Sequence, residues 1–178
     1  MLKNFYPFEY VDSVFCIDYE KLYEMGYRGL IFDIDNTLVH HGDDSTKEVD
    51  ELFKRIQKIG LKTILLSNNS EERVKRFLKN IDSLYICEAE KPKVGNYLKA
   101  VDMMNIKKEE AIFIGDQIFI DIYGANKSGI ANILVKFIKA QNETKIGKRR
   151  QLENIILKIY KKRKKYNNRL GTITKKEV

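Results

Sequence analysis

The feature that most restricts how this chain can fold is an alternation. Short apolar, β-branched runs recur as GLIFD (29–33), KTILLS (62–67), LYIC (84–87), AIFIG (111–115) and NILV (132–135). Stretches of helical periodicity separate them. Lys47–Ile59 sets Val49, Leu52, Phe53, Ile56 and Ile59 at helical spacing. Ser70–Lys79 opens on Ser70 as an N-cap, with Glu71 and Glu72 in the first turn, where acids suit the helix dipole. Val94–Met104 puts Leu98, Val101 and Met104 on one face, and a last helix around Ile120–Ser128 stops before Gly129. Nearly continuous apolar strands alternating with helices predict a parallel sheet covered on both faces, an α/β, three-layer αβα sandwich.

The 178 residues suffice for one domain with a sizeable core. Three segments are expected: an aromatic-rich leader, 1–28, packed on the domain; the domain itself, 29–146; and a basic amphipathic helix and tail, 147–178, whose last fifteen or so residues read as frayed and polar. No run of eighteen apolar residues is present to span a membrane. The opening MLKNFYPFEYVDSVF lacks a basic region followed by a long apolar core, so no secretory signal is expected and the location is read as cytoplasmic. Cys16 and Cys87 fit a reducing compartment, Cys87 as a small core residue.

The net charge of +8 is unevenly spread. Residues 136–178 hold 15 Lys and Arg against 3 Glu, or +12, which leaves −4 for the rest. A mildly acidic body with a basic tail points to a polyanion met by the tail, either nucleic acid or an anionic membrane.

In a parallel α/β sheet, ligands sit beyond the carboxyl ends of the strands. Four polar clusters fall there. Asp33 and Asp35 follow the first run, Ser67-Asn68-Asn69 the second, Glu90-Lys91-Pro92-Lys93 the third, and Gly115-Asp116 the fourth, with Asp121 five residues on. Carboxylates gathered at one place repel, and a hard divalent cation with oxygen ligands, Mg2+ above all, relieves them. A lysine, a small hydroxyl and open backbone N–H groups beside it suit a phosphate. An ionised carboxylate can then act as nucleophile, through an aspartyl-phosphate.

These residues resemble the four motifs of the haloacid dehalogenase superfamily: Asp33-Ile-Asp35-Asn-Thr37, then Ser67, then Lys91, then Gly115-Asp116-Gln-(x)3-Asp121. DIDNTLV, SNN, EAEKP and GDQIFIDIYGAN look most like its subfamily IIIA, YqeG-type phosphatases, which are similar to the phosphatidylglycerophosphate phosphatases. The leader YPFEYVDSVFCID also resembles that branch. The resemblance implies a Rossmann-like fold and a role for each matched residue. Asp33 would attack phosphorus; Asp35 would protonate the leaving group and then activate water. Thr37 would bond Asp35 or neighbouring backbone, Ser67 would bind the phosphoryl oxygens, and Lys91 would neutralise charge. Asp33, the Asp35 carbonyl and Asp116 would hold Mg2+, with Asp121 behind them. Asn68 is a further candidate for lining the mouth, as are Asn36, Asn69 and Gln117. Lys93 could replace Lys91 if the loop is read differently, and His40 and His41 read as a solvated loop pair with no third zinc ligand.

Cap domains of the superfamily are inserted after motif one or between motifs two and three. Here 30 positions separate Thr37 from Ser67, and 24 separate Ser67 from Lys91, each interval used up by one helix and one strand, so no cap is expected. An open site suits a phosphate on something large, such as a lipid headgroup, a protein or a nucleic-acid end. Gly147–Lys165 carries Leu152, Ile155, Ile156 and Ile159 at helical spacing among Lys148, Arg149, Arg150, Lys158 and Lys161–Lys165. That stripe packs on the domain, docks on an anionic membrane, or accompanies RNA binding, which thin aromatic interleaving makes the weakest of the three. The readings of function are a Mg2+-dependent phosphatase on a lipid phosphate such as phosphatidylglycerophosphate, the same chemistry on a nucleotide, sugar phosphate or phosphoprotein, and a nucleic-acid or ribosome-associated module with a vestigial site. Asp35, which a mere phosphate pocket would not need, speaks against the last.

Overall fold

The computed structural model describes residues 2–138 and 147–175. Residues 139–146 of the expected domain and 176–178 of the expected tail lie outside the described residues. Six strands form one sheet: β1 (Glu9–Val11), β2 (Gly29–Phe32), β3 (Lys62–Leu66), β4 (Leu84–Ile86), β5 (Ala111–Gly115) and β6 (Ala131–Val135). Their order is β1-β6-β5-β2-β3-β4, and every pairing is parallel. The strand order reverses between β2 and β5, the crevice where such Rossmann-like sheets place ligands.

Alternation along the strands feeds two cores. Leu30 and Phe32 of β2, with Ile112, Ile114 and Leu65, face α1 (Tyr19–Glu24), α2 (Lys47–Ile59) and α3 (Glu71–Phe77). Ile31, Ile64, Leu66 and Phe113 face α4 (Val94–Met103) and α5 (Tyr123–Ser128). Both faces of β2 are buried, which is why its sequence is apolar without alternation. Helix α2 has the expected bounds. Thr46 caps it by accepting from the Val49 N–H at 3.3 Å, and Gly60 ends it at φ 101°, a left-handed position that glycine occupies without strain. Ser70 caps α3 as expected, accepting from the Arg73 N–H.

Three local expectations are corrected. Helix α4 is rotated from the expected face: Tyr97, Ala100, Val101 and Met104 are buried and Leu98 is 38% exposed. The cause is Tyr97, whose hydroxyl donates to the Ile120 carbonyl at 2.9 Å beneath Gly124, where any Cβ would collide with the ring. In the leader, Tyr6, Val11, Val14, Ile17, Tyr19 and Leu22 are buried and β1 extends the sheet beside β6, but Phe15 is 40% exposed. The described part of the tail does not fray. Leu170 and Ile173 enter the core, the Asp18 N–H donates to the Ile173 carbonyl at 2.7 Å, and the Lys175 N–H donates to the Cys16 carbonyl at 3.0 Å. Two apolar residues spaced three apart suffice to anchor a segment whose composition is otherwise polar.

Helix α6 (Lys148–Lys162) carries two faces. Arg150, Glu153, Leu157 and Tyr160, spaced three and four apart, turn inward, with Glu153 and Tyr160 buried. Of the expected packing stripe, Ile156 lies against the domain, while Leu152 and Ile155 are 56% and 53% exposed. The inner face is set by an ion pair, described below, that apolar periodicity does not register.

Candidate active site

Strand β2 ends at Phe32, and the Asp33 N–H donates to the Ile114 carbonyl at 2.9 Å, fastening the start of the next turn to β5. Asp116 follows β5 directly. The two acids therefore flank the switch point from adjacent strands. Asp121 comes from the π-helical turn Ile118–Ile122, and a Cβ on Gly115 would strike its side chain, so glycine there allows the close approach. Oxygens of Asp33, Asp116 and Asp121 lie within 4.8 Å of one another, and all three residues are buried.

Lys91 bridges two of them. Its Nζ donates to Asp33 Oδ1 at 2.6 Å and to Asp121 Oδ1 at 2.8 Å, with the side chain 2% exposed. Lys93, the alternative, is at the surface and pairs with Glu90. Thr37 Oγ1 stands between Asp116 Oδ1 at 3.2 Å and Asp33 Oδ2 at 3.4 Å; its single proton serves one of them at a time. Of the two expected partners, Asp35 or neighbouring backbone, the second is met by the main chain, where the Thr37 N–H donates to the Ile34 carbonyl at 3.2 Å. Asp121 Oδ2 accepts from the Gln117 N–H at 3.0 Å. Arg150 of α6 closes the cluster: it pairs with Asp116 Oδ2, donates to the Asp116 carbonyl at 2.7 Å and pairs with Glu153 at 3.0 Å.

Three buried carboxylates thus meet two cations, Lys91 and Arg150. Burial raises the Asp33 carboxyl above its ordinary value; Lys91 opposes the rise and Asp121 adds to it. Burial likewise raises Asp116, with Asp121 and Asp33 adding and Arg150 opposing. Burial works to lower the Lys91 ammonium, but Asp121 and Asp33 outweigh it and hold Lys91 above its ordinary value. With all three ionised the acids outnumber these cations, and Arg150 is shared with the buried Glu153 as well. An all-oxygen donor set of that charge and spacing fits a hard divalent cation.

Asp35 goes elsewhere. Asn36 turns the chain at φ 63°, a left-handed position that Asn tolerates, and the Asp35 carboxylate is not among the three clustered acids. It accepts from Asn69 Nδ2 at 2.8 Å, Arg73 Nη2 at 2.9 Å and the Gly42 N–H at 3.2 Å, and His41 Nδ1 lies at 3.1 Å. Burial pushes its carboxyl up, but the Asn69 amide, the Gly42 N–H and the Arg73 guanidinium outweigh it and hold Asp35 below the ordinary range.

Ser67 is buried at the end of β3, its Oγ accepting from the Asn69 N–H at 3.2 Å. Asn68 clasps the Lys91 main chain, accepting from its N–H at 2.8 Å and donating to its carbonyl at 3.3 Å. Its amide positions the lysine. Two residues escaped the sequence reading, Arg73 as the partner of Asp35 and Arg150 as the partner of Asp116. One signal could have found both. Each is a cation in the first turn of a helix, where the dipole disfavours positive charge, and each holds a carboxylate from another element.

Similarity to known proteins agrees with this geometry. The family description "Hydrolase: haloacid dehalogenase-like hydrolase" matches residues 40–129. A protein of Bacillus subtilis (strain 168) named "Probable phosphatase YqeG" is 37% identical over 165 residues, covering 92% of this chain and 96% of that protein. Among solved structures, an uncharacterized protein from Listeria monocytogenes serotype 4b matches with a TM-score of 0.55 at 19% identity, over 76% of this chain and 99% of that one. The cobalt-bound deoxy-D-mannose-octulosonate 8-phosphate phosphatase YrbI from Haemophilus influenzae matches with a TM-score of 0.51 at 15% identity, over 80% and 92%. Those two likenesses concern the fold alone. With the Bacillus relative matched over nearly its whole length and the acids at the switch point, the chain belongs to the haloacid dehalogenase-like hydrolase family and is a phosphatase within it.

Proposed function

We propose that this chain is a Mg2+-dependent phosphomonoester hydrolase that works through an aspartyl-phosphate on Asp33. The observation that carries the reading is the cluster of Asp33, Asp116 and Asp121 with Lys91 between two of them, at the sheet's switch point. Mg2+ would be held by Asp33, Asp116 and the Asp35 carbonyl, with Asp121 behind, and would supply positive charge to the phosphoryl oxygens. The chain's own residues do the rest. An Asp33 oxygen forms the new bond to phosphorus as the bond to the leaving oxygen breaks. Lys91 offsets the charge gathered between nucleophile and phosphoryl group. Ser67, with the loop that Asn68 fixes, receives the phosphoryl oxygens, while Thr37 steadies Asp33 and Asp116. Water then attacks the aspartyl-phosphate, giving its proton to Asp35 and releasing phosphate from Asp33. Asp35 is ionised in the described state, which suits it for this second half. For a basic leaving group it must first carry a proton; an aryl leaving group needs none.

The substrate is a phosphate on a large or lipid-linked molecule, such as phosphatidylglycerophosphate. Between Thr37 and Ser67 the chain holds only a loop, α2 and β3, and between Ser67 and Lys91 only α3, a short 3-10 turn and β4, so neither interval supplies a lid. The purified protein is expected to hydrolyse an aryl phosphate with Mg2+ and to stop in excess chelator; full turnover in chelator would sink the reading. A panel of lipid, sugar, nucleotide and peptide phosphates then ranks substrates by kcat/KM. A best substrate that is a small sugar phosphate or nucleotide would overturn the substrate class and leave the chemistry standing.

A further inference from the structure

The outer face of α6 has no counterpart in the phosphatase chemistry. Lys148, Leu152, Ile155, Ile159 and Lys162 follow one another at spacings of four, three, four and three, so they form a single stripe along the helix. Leu152 and Ile155 are more than half exposed, and Lys148 and Lys162 at the two ends are exposed as well. Residues 147–165 hold nine Lys and Arg against one acid, Glu153, a net +8. Glu153 is turned inward to Arg150 and the Phe119 N–H. Two basic residues, Arg149 and Lys161, lie over the rings of Phe119 and Tyr10 and fasten the flanks of the helix to the domain. What remains outside is an apolar ridge bounded by lysines, with no acid on it.

We infer that this face docks on an anionic lipid bilayer, the apolar ridge entering the interface while the lysines meet the headgroups. Charge complementarity selects the occupant. A protein partner of matching shape would need acids placed against five or more cations, whereas an anionic bilayer offers them at any register. The single-stranded alternative, RNA, is served by aromatic platforms, and this stripe has none. The inner face of the same helix holds Asp116 through Arg150, so docking would bring the bilayer within about one helix diameter, ~10–12 Å, of that carboxylate. The inference concerns binding and does not depend on turnover.

Co-sedimentation of the full chain with vesicles tests it. Vesicles containing phosphatidylglycerol are expected to bind, and pure phosphatidylcholine vesicles to bind at least about tenfold more weakly. About 0.5 M NaCl should release the bound protein, since the Debye length then falls below ~5 Å. Two double variants separate the contributions. Leu152→Ser with Ile155→Ser removes the ridge, and Lys148→Gln with Lys162→Gln removes two charges, with a loss of about fivefold per lysine expected. All four side chains point outward, and unchanged circular dichroism and aryl phosphatase activity show that the fold is kept. Equal binding to both vesicle types, unchanged binding by both variants, or binding to an RNA homopolymer in preference to phosphatidylglycerol would each overturn the proposal.

Discussion

Asp33→Asn is expected to abolish turnover while leaving the fold intact. Asparagine keeps the shape of the side chain and can still accept from Lys91, but its amide oxygen cannot form the aspartyl-phosphate. Loss of a residue that forms the covalent intermediate typically removes several orders of magnitude, and a fall of at least about 10^4-fold in kcat is expected here. Stability should move differently. Asp33 is one of three buried carboxylates whose mutual repulsion and desolvation already disfavour the charged form, and the substitution removes one of them. The metal-free variant should therefore unfold at the same or a higher urea concentration than the parent. Activity and stability changing in opposite directions mark a residue kept for chemistry. A variant that loses both together would make Asp33 a structural residue.

Lys91→Met carries the second large effect, and it should appear in both measurements. Methionine fills a similar volume without the charge, leaving Asp33 and Asp121 facing each other across a buried site. Removing one partner of a buried, hydrogen-bonded ion cluster costs about 3–5 kcal/mol. The cost depends on pH. Asp33 and Asp116 have folded-state pKa values above the ordinary 3.8, so the native state binds more protons than the unfolded chain across that window. Their favourable contribution is complete below the unfolded value and is lost as pH rises through the folded one. Without Lys91 the Asp33 value rises further and the decline steepens. Urea unfolding of metal-free protein should show a larger deficit near pH 8 than near pH 5, and Mg2+ should narrow it. A deficit independent of pH would assign Lys91 to packing.

Much of the fold is present in the sequence because both faces of the inner strands are buried. The runs at 29–33, 62–67 and 111–115 need no alternation to be recognised, and α2 announces itself by a cap, a period and a terminal glycine. Asp33 and Asp116 were legible because each stands where an apolar run stops, while Asp121, inside the turn Ile118–Ile122, was legible only through its spacing from Asp116. What stayed hidden has a common physical character. β1 is three residues long and owes its place to pairing with β6, a contact across more than a hundred residues. The surroundings of Asp35 come from elsewhere in the chain, with Asn69 and Arg73 more than thirty residues away, so nothing beside the acid in sequence announces them. The inner face of α6 is chosen by Arg150 on Asp116, so the more apolar stripe lies partly outside. Charges paired across elements leave no period to read.

In the proposed mechanism phosphate passes through Asp33. Asp35→Asn gives the most direct test with an aryl phosphate, whose leaving group needs no acid while the hydrolytic water still lacks its base. Rapid mixing with Mg2+ and acid quenching should show a burst of about one phenol per chain. Mass spectrometry of the digested protein should find one phosphoryl group on the peptide containing Asp33. A quenched protein carrying its phosphoryl group on another residue, or turning over at a rate that shows no burst and no covalent label, would contradict it.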